Sequence, residues 1–287
     1  FYGQTLPLLK RGIPVELVHM ENTPFKDTFN GLQVLVMSYS NMKPMKSEYH
    51  NYLADWVKKG GTLVYCGEDV DPYQTVLEWW NTAGNAYKAP SEHLFEAMGL
   101  SRNPGDGTYR FGKGTVIVMR EDPKHFVLKG GNDRKYFETI VSAYESKTGK
   151  KIEIKNNFMV ERGPYTIAAV MDESSSKEPL KLSGLYIDLF DKDLPVLTVK
   201  QINPGEQGYL YDLNKVLGKV KAKVLCGASR IYDEKVGKQS YSFVAKSPLH
   251  TTNVSRVLLP RKPGKVLVNG KAEQPEWDES SKTLLLS

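Results

Sequence analysis

The sequence has 287 residues, and at that length two domains are the ordinary expectation for one chain. Its composition, with 40% apolar and 25% charged residues, is that of a globular protein. The net charge is +6, but the 39 basic and 33 acidic side chains are scattered along the chain without a long run of like charges. The sequence therefore gives no indication of nucleic acid or of an anionic membrane as a partner.

No apolar run approaches the roughly 18–20 residues that a membrane-spanning helix needs. The two cysteines, Cys66 and Cys226, are too few for a disulfide framework, and both lie in apolar strand patterns that predict buried thiols. The sequence indicates no metal and no cofactor, and it leaves the cellular compartment open.

The first half of the chain alternates helix and strand patterns. It starts with a helix around Thr5–Arg11. Doubly wound sheets usually begin with a strand, so we expect the first strand and an upstream domain to lie outside this chain. Three nearly uninterrupted apolar runs predict strands buried on both faces, as in a parallel sheet: Ile13–Met20, Leu32–Ser40 and Thr62–Gly67. Apolar residues at helical spacing from Tyr49 to Val57 join the last two runs into a right-handed βαβ unit.

Four further patterns complete the first domain. Helices are predicted over Pro72–Trp80 and Glu92–Met98, and Thr108–Met119 is typical of a hairpin that turns at Gly112–Gly114. A long closing helix carries an apolar face from Tyr136 to Tyr144. We therefore predict that residues 1–150 form an open, doubly wound α/β sheet of the flavodoxin type, with helices on both faces.

The pattern of apolar and polar residues changes after residue 150. Short strand-like runs follow one another, separated by Gly, Pro, Asn, Asp and Ser, and no long helical stripe is present. Asn269–Gly270 is a hairpin-turn signal within this region. We predict that residues 151–287 form an antiparallel β-sandwich, so the fold class is α/β followed by all-β.

Ligands of open α/β sheets bind outside the carboxyl ends of the strands, where this sequence places a polar rim. The rim consists of His19, Glu21 and Asn22 after the first run, Ser40 and Asn41 after the second, and Cys66, Glu68, Asp69 and Asp71 after the third. A rim of this kind is either a pocket or the ordinary polar exit of a strand.

Cys66 stands where several α/β enzymes place a nucleophile. The sharp turn of a nucleophile elbow requires small residues two before and two after the nucleophile, but Val64 and Glu68 occupy those positions. A thiolate also needs a basic partner, and His93 and His125 are the downstream histidines that could serve. Cys66 is a weak catalytic candidate, and a buried structural cysteine is the favoured interpretation.

The acidic loop and the tryptophan pair are candidate substrate-binding residues. Asp71 is predicted to cap the helix that Pro72 begins, which leaves Glu68 and Asp69 as candidates for a pocket. Trp79 and Trp80 could stack on a sugar, although packing in the core or between domains is the favoured alternative. The spacing of the carboxylates lacks the ligands of a calcium loop, so no metal is predicted.

The run "FYGQTLPLLKRGIPVELV" and the later "YLADWVKKGGTLVYCG" together carry a resemblance to a known family. They resemble the amidotransferase-like domain that follows the catalytic (β/α)8 barrel in family 42 β-galactosidases, where it is called the trimerisation domain. In that family a small β-sandwich follows, and "VLVNGKAEQPEWDESSKTLLLS" is similar to such a C-terminal domain. The resemblance covers residues 1–120 well and the sandwich only loosely, and the acidic segment "CGEDVDPYQTVLEWW" departs from the family pattern.

The resemblance implies a non-catalytic, C-terminal portion of a glycoside hydrolase. Its catalytic glutamates would lie on a barrel that this chain lacks, so no catalytic residue is carried over. The expected partners are an upstream catalytic domain of the same protein, further copies of the chain, and carbohydrate. Two alternatives stay open at this point: a cysteine-dependent amidotransferase or DJ-1-like hydrolase that uses Cys66, and a carbohydrate-binding module that uses Trp79, Trp80 or aromatic residues of the sandwich.

Overall fold

The structure is a computed structural model, and it describes residues 1–128, 132–174 and 176–287. The chain forms two compact units, Phe1–Ile154 and Lys155–Ser287, and each is described by itself below. None of the helices in the described ranges is long and apolar enough to cross a membrane.

The first unit is built on one four-stranded sheet. Its strands are β1 (Val34–Met37), β2 (Thr62–Cys66), β3 (Gly107–Phe111) and β4 (Gly114–Met119), in the spatial order β1-β2-β4-β3. The first three in that order are parallel, and β3 pairs antiparallel with β4 through the predicted hairpin. The predicted hairpin at Gly112–Gly114 and the βαβ unit are thus where the sequence patterns place them.

Five helices accompany this sheet in the described residues. They are α1 (Tyr2–Leu9), α2 (Glu48–Lys58), α3 (Pro90–Ala97), α4 (His125–Leu128) and α5 (Arg134–Thr148), with short 3-10 turns at Met20–Asn22 and Pro72–Thr75. The helices predicted near Thr5–Arg11, Tyr49–Val57, Glu92–Met98 and Tyr136–Tyr144 are confirmed.

The sheet is covered on both faces, which explains the uninterrupted apolar run of β2. Leu63 and Tyr65 point into a core formed with α2 and α3, whereas Val64 and Cys66 point into a second core formed with α1, α4 and α5. Every residue of β2 is buried. A strand with helices on both sides has no polar face, and its sequence is therefore apolar throughout.

Two predicted elements of the first unit are wrong. The run Ile13–Met20 forms no strand; Pro14 has no N–H to give to a ladder, and Leu17 is exposed, although Ile13 packs against the second core. The helix predicted over Pro72–Trp80 ends after one 3-10 turn at Thr75. Beyond that turn the backbone follows tertiary contacts of the two tryptophans, which are described below.

Gly114 allows the hairpin to pass close to α2. A Cβ atom at this position would lie 1.9 Å from the carbonyl oxygen of Val57 and 2.5 Å from that of Gly61. Backbone N–H groups on either side of Gly114 bond to the end of α2, from Lys113 to Lys58 at 2.9 Å and from Thr115 to Gly61 at 3.1 Å. The glycine is required here because another backbone occupies the space of a side chain.

The second unit contains thirteen strands in the described residues, and all its pairings are antiparallel. A five-stranded sheet has the order β5-β6-β9-β7-β8, from β5 (Phe158–Arg162), β6 (Tyr165–Ala169), β7 (Leu180–Asp188), β8 (Val196–Ile202) and β9 (Gln207–Asp212). A four-stranded sheet has the order β10-β13-β17-β16, from β10 (Lys223–Gly227), β13 (Ser255–Leu258), β16 (Glu276–Asp278) and β17 (Thr283–Leu286). Two hairpins complete it: β11 (Arg230–Val236) with β12 (Tyr241–Lys246), and β14 (Val266–Val268) with β15 (Lys271–Glu273).

Both large sheets of the second unit contribute to one hydrophobic core. Ile187 and Tyr211 come from the five-stranded sheet, and Leu225 and Leu258 come from the four-stranded sheet. The hairpin predicted at Asn269–Gly270 is present, and both residues have positive φ. The coarse fold class, an α/β sheet followed by antiparallel β-sheets, is confirmed.

Candidate functional site

The carboxyl ends of the three parallel strands β1, β2 and β4 meet at one edge of the first unit's sheet. Tyr39 follows β1, the loop 67–71 follows β2, and Arg120 follows β4. The buried His50 of α2 and the first turns of α3 contribute the remaining polar groups. These residues form two connected clusters.

Asp69 is the centre of the first cluster, here called the Asp69 cluster. It accepts hydrogen bonds from the Tyr65 hydroxyl at 2.5 Å, the Ser91 hydroxyl at 2.7 Å and Nη1 of Arg120 at 2.7 Å. Its backbone has φ +59°, a conformation that Asp tolerates better than most residues. Burial and the charge of Asp69 raise the pKa of Tyr65 well above its usual value, so this hydroxyl stays a hydrogen-bond donor.

Arg120 ties the Asp69 cluster to the surrounding loops. Besides Asp69, its guanidinium donates to the carbonyl oxygens of Gly67 at 3.3 Å and Pro104 at 2.9 Å. It also lies over the ring of Phe95, 5.1 Å from the centroid. Its charge is therefore balanced by one carboxylate, and its Nε and Nη1 donors are used within the fold.

The second cluster is a chain of hydrogen bonds from buried Tyr39 through buried His50 to half-buried His93, and its two imidazoles are here called the histidine pair. The Tyr39 hydroxyl lies 2.6 Å from Nε2 of His50, and Nδ1 of His50 lies 2.9 Å from Nδ1 of His93. Burial, followed by the neighbouring His93, lowers the pKa of His50 to about 3. Burial also lowers the pKa of His93, so both rings are neutral at neutral pH.

One arrangement of protons satisfies every link of the histidine pair. If Tyr39 donates to Nε2 of His50, then Nδ1 of His50 carries the proton and donates to His93. In the reverse direction the Tyr39 hydroxyl would need another acceptor, and the described residues give it no hydrogen bond other than the one to His50. Burial and the charge of Asp69 raise the pKa of Tyr39 well above its usual value, which keeps that proton on its oxygen. We assign the chain as Tyr39 to His50 to His93 on these grounds.

Asp71 caps the turn that Pro72 begins, as predicted. Its side chain accepts from the N–H of Tyr73 at 3.0 Å and from the side-chain amide of Gln74 at 2.6 Å. The structure adds a partner that the sequence does not indicate. Nζ of Lys43 lies 3.0 and 2.8 Å from the two carboxylate oxygens of Asp71, which ties the loop after β1 to the loop after β2.

The two tryptophans pack into this edge. Trp80 is buried, and its indole N–H donates to the carbonyl of Gln74 at 3.0 Å. Trp79 is half-buried; it donates to the carbonyl of Pro44 at 2.8 Å and meets the rings of His50 and His93 edge-on. These indole contacts hold the backbone in place of the predicted helix.

Cys66 lies in the core and not at the open edge. Its side chain is fully buried among apolar residues of α1 and α5, and burial raises its pKa to about 12. A thiol with this pKa is protonated at neutral pH and is a poor nucleophile. His93, one of its proposed partners, is instead bonded to His50. These properties favour the packing role for Cys66.

The adjacent carboxylates Glu68 and Asp69 have different surroundings in the structure. Glu68 is exposed, whereas Asp69 is largely buried in its cluster. The rim residues predicted after the first run (His19, Glu21 and Asn22) belong to no strand exit, because that strand is not formed.

Sequence reasoning missed His50 and Arg120. The signal for His50 was present, since it precedes Leu53, Ala54 and Val57 by three, four and seven residues and so lies on the buried stripe of α2. The signal for Arg120 is its place at the exit of β4. The sequence pattern predicts that strand only as half of a hairpin, whereas it also pairs in parallel with β2.

The polar side chains at this edge are paired with one another. The Asp69 carboxylate is met by three donors, the histidines are neutral and bonded to each other, and Asp71 is held by Lys43. Within the described ranges, no group of three or more His, Cys, Asp or Glu side chains is arranged to hold a metal ion. Such an arrangement fixes the loops after β1, β2 and β4 against one another.

Comparison with known proteins gives a partial likeness only. No protein-family model matches the sequence, and no curated protein matches it. Among solved structures, the β-galactosidase from Bacillus circulans sp. alkalophilus has a TM-score of 0.41 at 12% identity, over 74% of this chain and 37% of that one. Gan42B, a family 42 β-galactosidase from G. stearothermophilus, gives 0.40 at 14% over 72% and 35%, and its catalytic mutant gives 0.40 at 13% over 73% and 35%. The chain spans about a third of the length of these structures.

Proposed function

We propose that this chain is a non-catalytic, ancillary portion of a β-galactosidase-like glycoside hydrolase, in which the first unit docks on the catalytic domain of the same protein. The sequence resemblance described above suggests the kind of parent protein. The amidotransferase-like and sandwich descriptions of the two units belong to the same proposal.

One observation supports the docking role: the loops that carry the paired polar groups at the carboxyl edge also carry exposed apolar side chains. They are here called the edge ring, and they belong to the two loops that follow β1 and β2: Met42, Met45, Val70, Tyr73, Val76 and Leu77. Leu77 is 79% exposed. Exposed apolar residues that cluster in this way are typical of protein–protein contact sites.

Three residues of the edge ring meet across the two loops. Met45 of the first loop and Tyr73 and Val76 of the second line one groove of about 210 Å³. The ion pair between Lys43 and Asp71 holds the same two loops together. Because the loops are fixed before any partner arrives, docking would cost little ordering of the backbone.

The alternative that uses Cys66 as a nucleophile loses support from the geometry, since that thiol is buried with a pKa of about 12. The edge instead combines paired polar groups with an apolar rim. This combination suits a surface that is covered in the complete protein, and we take the catalytic domain as the covering partner.

The test uses the complete protein and its reading frame. We expect the reading frame to encode a catalytic glycosidase domain and the purified protein to hydrolyse a nitrophenyl β-galactoside. Leu77→Asp should lower the activity or the melting temperature, because it places a charge in the docked surface. Leu249→Asp is the matched control, since Leu249 is 87% exposed and lies in the second unit.

The outcomes separate the candidate partners. A complete protein without a glycosidase domain would refute the proposal. A complete protein in which both leucine variants behave like wild type would refute the docking role of the edge ring. If Leu77→Asp instead converts an oligomer to a monomer in light scattering, with unchanged activity per monomer, the covering partner is a second copy of the chain.

A further inference from the structure

The second unit contains a cleft of about 900 Å³ that the proposed docking role does not use. Its walls come from the loop after β7, from β6 and β9, and from β10 together with the segment that leads into β13. The volume lies in the range of small-molecule sites, which is roughly 300–1,000 Å³. We call it the Phe190 cleft, after the aromatic residue of its loop.

Three aromatic rings form a row along the Phe190 cleft. The rings of Tyr165 and Tyr209 are stacked with centroids 5.7 Å apart, and the Phe190 ring follows 5.9 Å from Tyr209. Phe190 is 63% exposed. An aromatic ring left in water beside other rings offers a flat apolar surface that a ligand can cover.

The loop that carries Phe190 is anchored at both ends. At one end, buried Asp188 bonds to Lys200 at 2.6 Å and accepts from the N–H of Phe190 at 3.1 Å. At the other end, the buried guanidinium of Arg256 donates to the carbonyl of Leu194 at 2.8 and 3.2 Å. Leu194 itself has φ +46°, a strained conformation for a side chain of its kind. Strain of this sort persists only where the surroundings impose it, and it concentrates at ligand-binding sites.

Polar groups of the same loop also line the Phe190 cleft. Asp191 and Asp193 contribute carboxylates, and Lys192 lies between them, with its ammonium group 3.0 Å from Asp193. Two carboxylates with one ammonium group disfavour an anionic ligand. Carboxylates are acceptors only, so the matching ligand presents several hydroxyl donors.

We propose that the Phe190 cleft binds a neutral saccharide, whose apolar C–H face lies on Phe190 and Tyr209 while its hydroxyls donate to Asp191 and Asp193. The combination of a flat apolar face with several hydroxyls on its rim is that of a pyranose. The choice of a saccharide also rests on the proposed function, because the parent enzyme would act on sugars. The anchored loop presents the ring in a fixed place, so little ordering is needed on binding.

The test is isothermal titration calorimetry of the whole chain with lactose, cellobiose, maltose, cellotetraose and maltotetraose. We expect saturable binding of at least one sugar in the millimolar range. Phe190→Ala should weaken it by about three- to tenfold, which corresponds to loss of one aromatic contact. Asp193→Asn should weaken it as well, because an ionised acceptor becomes neutral.

Tyr232→Ala is the matched control, since Tyr232 is an exposed aromatic residue of the second unit that does not line the cleft. It should bind like wild type, and circular dichroism should show that all three variants are folded. No saturable binding by the wild-type chain would overturn the inference, and so would binding that Phe190→Ala leaves unchanged.

These outcomes are independent of the test of the proposed function. If no sugar binds but Leu77→Asp still impairs a glycosidase, only the saccharide site fails. If a sugar binds through Phe190 but the complete protein has no glycosidase domain, only the ancillary role fails.

Discussion

The histidine pair makes the stability of the first unit depend on pH. His50 is fully buried, and its pKa falls from 6.5 to about 3 because a charged imidazole would be taken out of water next to a second imidazole. In the unfolded chain the same ring titrates near its ordinary value. As the pH falls, His50 is therefore protonated in the unfolded chain before it is protonated in the folded chain. This lowers the free energy of unfolding.

The magnitude follows from the two pKa values. A group whose folded pKa is lowered contributes stability that is complete above its unfolded pKa and is lost as the pH falls towards its folded pKa. For a shift from 6.5 to about 3, the loss from His50 alone is about 2 kcal/mol on going from pH 8 to pH 5. Burial also lowers the pKa of His93, which acts in the same direction.

The assay is urea unfolding followed by tryptophan fluorescence between pH 5 and pH 8. A Trp277→Phe background leaves Trp56, Trp79 and Trp80, all in the first unit, as reporters. In this background His50→Gln should cost about 1–3 kcal/mol at pH 8, because the bonds to Tyr39 and His93 are disturbed. It should also remove the share of the pH dependence that His50 contributes, which is about 2 kcal/mol between pH 8 and pH 5.

The matched control is His19→Gln, which replaces an exposed histidine of the same unit and should keep the wild-type slope. If His50→Gln retains the full wild-type slope between pH 6.5 and pH 5, the reasoning about the buried imidazole is wrong.

Three further variants or treatments test the first unit by chemical unfolding or labelling. Asp69→Asn should destabilise the chain by roughly 2–3 kcal/mol, since Arg120 loses its charge partner, whereas Glu68→Gln should stay within about 0.5 kcal/mol of wild type; equal effects would refute the Asp69 cluster. Gly114→Ala should cost about 2 kcal/mol or more because its methyl group meets the end of α2, and Gly105→Ala, with no atom within 4 Å of its Cβ, should be neutral; a stable Gly114→Ala would contradict the close approach. Cys66 should resist iodoacetamide at neutral pH in the folded chain and react once urea unfolds it, whereas rapid labelling of the native chain would restore the nucleophile hypothesis.

Local patterns in the sequence predict those parts of the fold that depend on local physics. The apolar stripe from Tyr49 to Val57 and the run Thr62–Gly67 yield α2 and β2 because periodicity reports burial. The run Ile13–Met20 has the same apolar character but forms no strand, since Pro14 lacks a donor and no strand edge in the described sheet accepts this segment. Apolar character alone does not supply a neighbouring strand.

The sequence predicts where the candidate site lies but not which side chains are bonded to each other there. Asp69 and Asp71 are named from the exit of β2, and the capping role of Asp71 is confirmed. The partners that define the site come from far along the chain: Lys43 reaches Asp71 across 28 positions, and Arg120 reaches Asp69 across 51. No local spacing encodes such pairs, so they emerge only when the parallel strands β1, β2 and β4 bring their ends together.

The central proposal is that a catalytic domain of the complete protein covers the edge ring. Hydrogen–deuterium exchange of segments 41–45 and 70–77, measured in the complete protein and in this chain alone, tests it most directly. The account predicts slower exchange of both segments in the complete protein, with unchanged exchange in the hairpin β14–β15 of the second unit. Equal exchange of the two segments in both samples would contradict it.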